Sequence, residues 1–389
     1  MEVKQIHSMA DVDDAVWNRL AGHAYPFLRH EFLLALEQSG SVCERTGWIP
    51  AHLLVMDADE LVAFMPLYLK QHSWGEYVFD HQWAEAYQQH GLDYYPKWLT
   101  AIPLTPCQGS RIVMQEAIDP LEVMHTVLEF IKQRSEQLDI SSWHCLFPEL
   151  QQLEQLRSLG LAIREGVQFH WFNRDYRDFN DFLSTLNASK RKMLKRERRR
   201  VSEQGVSLLR IAGNEVSDQQ WQVFFQFYAL TYLKKGGQPY LNLAFFQQIA
   251  ATMGEQLLMV LAMKDGKPVA AALSFIGADT LYGRYWGCYE EYNSLHFETC
   301  YYQGLDYCIE HGLQRFDSGA QGEHKIARGF EPITTYSGHW IKDAQFAKAI
   351  ELFLGREQIA MRQYKQDAAT YLPFKEAAAA EEVKKPTQI

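Results

Sequence analysis

The chain has 389 residues, 47% of them apolar and 13% aromatic. That is ample material for packed cores; it excludes a disordered protein and suggests two domains rather than one. The net charge of −10 argues against generic nucleic-acid binding, yet KRKMLKRERRR at 190–200 concentrates eight basic residues around a single acid.

The first residues lack a basic region followed by an apolar run, so no secretory signal is expected, and no uncharged stretch is long enough to span a bilayer. Cys43, Cys107, Cys145, Cys288, Cys300 and Cys308 include no C-x-x-C pair. They are expected to be reduced, in a cytoplasmic protein.

In chain order, 11–39 reads as helix interrupted by Pro26. AHLLVMD and LVAFMPLYLK read as a hairpin around ADE, with Lys70 ending the second strand. The next forty residues are dense in aromatics, His, Asp, Gly and Pro and lack periodicity, so they are expected to form a loop-rich pocket wall. Helix 118–138, strand SSWHCLF and a short helix stopped by Gly160 follow. YRDFNDFLSTL and the basic run read as helix, VSLLRIAG as strand, and SDQQWQVFFQFYALTYLKK as a helix capped by Ser217. After a further helix, LNLAFFQQIAATMG, three strands are expected from 255 to 289, with the Asp265-Gly266 turn between the first two. Helix 294–312 should end at Gly312 and lead into strand RFDS.

Hairpin or meander, helix and strand thus occur in both halves, an α/β pattern with mixed sheets that hints at duplication. The expected domains are 1–165, 166–342 including a basic helix 187–204, a helix at 343–376 and a solvated tail at 377–389.

The runs LYGRYWG, LHFETCYYQGLDYCIEHGLQRFDSGAQGEHKIARGF and SGHW, with HSWGEYVFDHQWAEAY and YYPKW earlier, closely resemble a bacterial N-acyltransferase family once labelled as involved in peptidoglycan biosynthesis or recognition. The resemblance spans most of the chain. It implies kinship with FemAB-type aminoacyl transferases: tandem GNAT-like domains with a cleft between them. The implied reaction moves an acyl or aminoacyl group from an activated donor to an amine, such as a peptidoglycan precursor or an amino-acid-like metabolite. The donor would be aminoacyl-tRNA or acyl-CoA, with no tightly bound cofactor. One departure counts against acyl-CoA. Where GNAT enzymes carry a glycine-rich phosphate turn, WGCYEEYNSLHFE has only Gly287 and two acids, Glu290 and Glu291. The alternative is a non-catalytic protein on the same fold that binds a cell-wall precursor or peptide.

Acyl transfer to an amine needs a proton acceptor and an oxyanion donor. Glu323 or His324 is the candidate base, Asp317 a candidate orienting group, and Glu298 a further catalytic candidate. Lys325 and Arg328, three apart, share a face suited to a phosphate or carboxylate, and Gln321 lies beside them. Tyr282, Arg284 and Trp286 alternate onto one strand face. Arg284 there either pairs with an acid such as Glu298 or Glu323 or holds an anionic substrate. The first-half stretch contributes Lys70, His72, Glu76, Tyr77, Asp80, Tyr94 and Lys97 as substrate-binding candidates. His72 and His81 match no zinc spacing, so no metal is expected. Lys192, Lys195, Arg196 and Arg199 line the basic helix and would meet a tRNA backbone, a phosphate-bearing substrate or an anionic membrane surface without reading sequence.

Overall fold

The computed structural model describes residues 1–320 and 322–375. It divides into two compact units: 1–166 with 240–249 and 334–363, and 167–239 with 250–333 and the described residues from 364 onward.

The first unit opens with β1 (Glu2–Ile6), α1 (Asp14–Ala21) and α2 (His30–Gln38). The Asp13 carboxylate caps α1, and Pro26 opens a 3₁₀ turn between the helices. β2 (Trp48–Pro50) precedes the expected hairpin, β3 (His52–Asp57) and β4 (Glu60–Met65). The expected second hairpin strand is split at Pro66, which cannot donate to a ladder. Its remainder is β5 (Tyr68–Lys70), which pairs with β2 instead. The stretch expected to be loop also holds α3 (His81–Gln89) and β6 (Lys97–Thr100). β7 (Val113–Met114), α4 (Pro120–Leu138), β8 (Ser142–Leu146) and α5 (Leu150–Ser158) follow. Asp119 caps α4, and Gly160 closes α5 with φ of 82°. β9 (Ala162–Phe172) starts in this unit and ends in the second.

The second unit holds α6 (Phe179–Thr185), α7 (Ala188–Glu203), β10 (Val206–Ala212) and α8 (Asp218–Leu233). Ser217 and Gln220 form a reciprocal capping box on α8. α9 (Leu243–Met253) leads to the meander β11 (Leu257–Lys264), β12 (Lys267–Ile276) and β13 (Thr280–Cys288), turning at Asp265-Gly266 with both φ positive. The expected helix 294–312 has three parts: α10 (Leu295–Phe297), a π-helical turn over Glu298–Tyr302, and α11 (Gln303–His311), closed by Gly312 in the left-handed region. β14 (Arg315–Asp317), β15 (Glu331–Ile341) and α12 (Ala344–Ala369) complete the described chain. The expected tail, 377–389, lies outside the described residues.

In the first unit β1–β3–β4–β7 form one sheet, and β15–β8–β6–β5–β2 run in order in another. Trp98 and Trp143, paired across β6 and β8, are buried in a core with Val127, Leu128 and Ile131 of α4. Strand order in the second unit is β10–β11–β12–β13–β14–β9. Its core gathers Phe169, Trp171, Tyr302, Leu305 and Phe316.

β13 and β14 are parallel, but they pair only over Thr280–Tyr282 and Arg315–Asp317. Beyond that point β13 continues to Cys288 without β14 beside it, because the chain turns away at Gly319, whose φ is 96°. This splay positions the site.

Candidate functional site

A pocket of about 140 Å³ lies at the splay. Gly283 to Trp286 of β13, Ser318 after β14, and His296, Cys300 and Tyr301 of the π-turned helix line it. The β12–β13 register slips between Leu273 and Ser274, and both residues reach the same pocket. A second pocket of about 280 Å³ holds Glu290, Glu291, Tyr292 and Phe297. Trp286 and His296 belong to both pockets, with their rings 5.2 Å apart. Burial, together with His324, Arg328 and Lys325 nearby, pushes His296 down to about 4, so its imidazole is neutral at pH 7.

Beneath the first pocket Arg284 donates to Asp317 at 2.6 Å, and both are buried. Asp317 also accepts the Gly319 amide at 3.0 Å, and His170 stands 3.6 Å from it. Burial opposes ionisation of Asp317, but Arg284 and His170 outweigh it and hold the carboxyl down at about 2. Arg284 therefore pairs with Asp317, not with Glu298 or Glu323. Tyr282 is buried behind the pair, its ring 5.9 Å from the Arg284 guanidinium.

The segment after β14 folds as a 3₁₀ helix over Glu323–Arg328 between Gly322 and Gly329, both with positive φ. Its polar residues divide. Lys325 turns inward and donates to the Gly319 carbonyl at 2.6 Å. Burial pushes its amine down to about 8. Arg328 is buried against Glu197 of α7, at 2.7 and 3.2 Å, and covers the Phe297 ring at 3.4 Å. Tyr302 donates to the same glutamate. Glu323 and His324 are exposed: Tyr364 donates to Glu323 at 2.7 Å, and the Tyr301 hydroxyl lies 2.9 Å from His324 Nε2. Gln321 lies outside the described residues.

Glu298 is buried and accepts from Arg198 at 3.1 and 3.0 Å, and Arg198 also reaches Asp306 at 2.7 Å. The one acid and one of the arginines of the basic run thus point inward. Lys192, Lys195, Arg196 and Arg199 are exposed on the opposite side of α7, with Arg199 bonded to Glu203.

In the first unit, Lys97 is buried and donates to Glu76 at 2.8 Å, Asp80 at 2.5 Å and Ser73 at 2.8 Å. Burial disfavours its charge, but Glu76 and Asp80 outweigh that and hold its pKa up. Tyr94 donates to Asp80 at 2.6 Å and lies 3.1 Å from His144, whose Nδ1 is 2.7 Å from that of His339. Lys70, opposite Lys97 in register, sits over the Trp48 ring at 3.7 Å, and burial lowers its amine to about 7. His72 accepts the Trp74 amide at 3.2 Å, and Tyr77 is half-buried with φ of 61°. Lys97, Glu76, Asp80 and Tyr94 form one buried network, with Lys70 at its edge.

Sequence reasoning missed Tyr301, Ser318, His144, His339 and His170 as site or network residues, and it passed over His296. The π turn that brings His296, Cys300 and Tyr301 to one wall has no sequence signature. Among the described residues no cluster of His, Cys, Asp or Glu could hold a metal ion, and no helix is long and apolar enough to cross a membrane.

No curated protein matches the sequence at a significant level. Among solved structures, the chain is similar to FemX (TM-score 0.53, 12% identity, 90% of this chain and 100% of that one). It is also similar to a structure described as the C-terminal domain (DUF2156) of a putative lysylphosphatidylglycerol synthetase from Agrobacterium fabrum (TM-score 0.53, 10% identity, 90% and 97%). A conserved protein of unknown function from Bacteroides thetaiotaomicron matches at TM-score 0.50 with 12% identity over 85% and 97%. These likenesses show a mixed α/β fold shared with those three structures. The model of the FemAB-like family, described as peptidoglycan biosynthesis/recognition, matches residues 8–376, so the chain belongs to that family.

Proposed function

We propose that the protein is an N-acyltransferase of FemAB-like type, with its reaction centre at the β13–β14 splay. The observation that carries this reading is that His296 and Trp286 line both pockets of the second unit. The smaller pocket, with Arg284 and Ser318 in its wall, receives the acyl group. The larger one carries Glu290 and Glu291, which suit an ammonium better than a phosphate. The ammonium first gives one proton to water. Neutral His296 between the pockets takes the second, which becomes acidic once the nitrogen bonds to the acyl carbon, and passes it to the leaving group. The amine nitrogen bonds to the acyl carbon, and the donor's thiolate or ribose oxygen departs and gains a proton. No enzyme-bound acyl intermediate is needed; holding donor and acceptor together supplies much of the acceleration. His324 reaches this centre through Tyr301; Glu323, next to His324 in the chain, is held by Tyr364; and Glu298 and Asp317 act by fixing Arg198 and Arg284.

The acceptor class is an amine such as a peptidoglycan precursor or an amino-acid-like metabolite. The donor is aminoacyl-tRNA or acyl-CoA, and the exposed cations of α7 favour the former. We read the two units as GNAT-like halves, because each contains one parallel strand pair reached by a helical crossover, β6–β8 and β13–β14. A cytoplasmic setting fits the six free thiols. The ion-pairing of Arg284 and Arg328 supports a second reading, a binding protein that kept the fold and lost the chemistry.

Purified protein is incubated with charged tRNA or acyl-CoA and a panel of amines, and products are read by mass spectrometry. Donor-dependent acylation of an amine, lowered at least a hundredfold in His296→Gln with an unchanged circular dichroism spectrum, is expected. Absence of transfer with either donor, or transfer unaffected in His296→Gln, sinks this assignment.

A further inference from the structure

The first unit carries a pocket of about 610 Å³, a volume suited to a small ligand. It shares no residue with the pockets at Trp286. Three aromatic rings line it: Trp83 is buried, Phe353 is half-buried, and Phe79 is 63% exposed.

Arg164 of β9 lines the pocket and is held in a fixed pose. Glu357 of α12 accepts from it twice, at 2.7 and 2.6 Å, and the Phe79 carbonyl accepts from Nη1 at 2.6 Å. Its guanidinium also lies 5.4 Å from the Trp83 ring centroid. These bonds use three of the five N–H donors of an arginine. The remaining two stay in a fixed fork, so little side-chain entropy is lost when they meet an anion. Arg356, exposed one residue before Glu357, adds a second cation to the same wall. Two arginines and one glutamate leave a single positive charge in excess. His81 and Gln82, the first turn of α3, complete the wall. No side chain caps that helix end, because the Asp80 carboxylate at the N-cap position turns inward to Lys97 and Tyr94. The positive end of the α3 dipole thus adds to the preference for an anion.

We infer that this pocket is a binding site for a small aromatic monoanion, with a carboxylate on Arg164 and Arg356 and its ring among Phe79, Trp83 and Phe353. The inference uses no residue of the second unit, so its failure leaves the acyl-transfer reading untouched.

Wild-type protein is titrated calorimetrically with phenylacetate, with its neutral amide phenylacetamide, with phenethylamine and with acetate. Saturable binding of phenylacetate is expected, with the other three at least tenfold weaker. Arg356→Gln and Phe79→Ser, both at exposed positions, are each expected to weaken phenylacetate at least tenfold while thermal melts stay unchanged. A wild type that does not saturate with phenylacetate, or that binds the amide equally well, overturns the proposal. So does undiminished binding in both variants. Because the four probes are compared on the wild-type protein, that outcome does not depend on how the variants fold.

Discussion

Arg284 and Asp317 show what a buried charge requires. Each is all but excluded from solvent, and each depends on the other. Asp317→Asn leaves the Arg284 guanidinium buried against a neutral partner. Unfolding in urea should show a loss of about 3–5 kcal/mol. The double variant Arg284→Met/Asp317→Leu should recover most of it, since an apolar pair of similar volume carries no desolvation cost. A double variant as unstable as the single one would show that the pair does more than neutralise itself. The alternation of residues 282, 284 and 286 and the strand-end acid were both legible in sequence. Their mutual pairing was not, because it depends on a parallel register between strands separated by a helix of variable geometry.

At the level of elements, α8 presses against β13 at Gly287. A Cβ built there would lie 1.9 Å from the Phe227 carbonyl oxygen, so only glycine permits this approach. Gly287→Ala should force helix from sheet and destabilise the protein by about 1–3 kcal/mol, read from the shift in the urea midpoint. It should also disturb Trp286, and with it both pockets. An unshifted midpoint would mean that α8 is free to move. On α7, charge reversal at Lys192, Lys195 and Arg196 should leave stability within about 0.5 kcal/mol, since all three side chains are exposed. If α7 binds tRNA, the same change should weaken binding and flatten its salt dependence, by roughly 0.7–0.9 in logarithmic slope per lost phosphate contact. A binding isotherm identical to the wild type would remove α7 from the donor site. The helix itself was plain from its composition. Which charged residues face inward was less plain: Leu194 and Val201 mark a thin apolar side, but nothing local says that Glu197 is buried between them or that Arg198 turns in beside it. Pro66 was in view, yet its consequence, a strand divided between two sheets, depended on which partner each fragment found.

Across the whole molecule, buried His144, His170 and His339 and half-buried His296 set the acid response. Burial pushes His144 down to about 3, His170 and His296 to about 4, and His339 well below its ordinary value. An unfolded histidine titrates near 6.5. Between that value and the folded ones the unfolded chain binds more protons, so stability is fully present above about pH 6.5 and falls as pH drops toward 4. Glu76 opposes this: burial raises it to about 7, so its contribution is present below its unfolded value and is lost as pH rises. Four histidines against Glu76 and Glu298, which burial also raises, leave a net loss on acidification, and Asp317 extends it toward pH 2. Thermal melts from pH 7.5 to 4 should therefore show a steadily falling midpoint, with a shallower fall in His170→Gln. A midpoint that stays constant from pH 6.5 to 4.5 would refute this account.

By itself the sequence determined most of the local structure and the family. Caps at Ser217 and Asp119, the Asp265-Gly266 turn, and stops at Gly160 and Gly312 act over a few residues, where chemistry and conformation are linked directly. The long runs from 281 to 330 carried the kinship. The tertiary structure alone decided that β9 and β15 are strands of eleven residues each, that α3 and β6 lie within an aromatic stretch without periodicity, and that His296 stands between two pockets. Those outcomes rest on pairing and packing between distant segments, and loop closure over such separations leaves no local pattern to read.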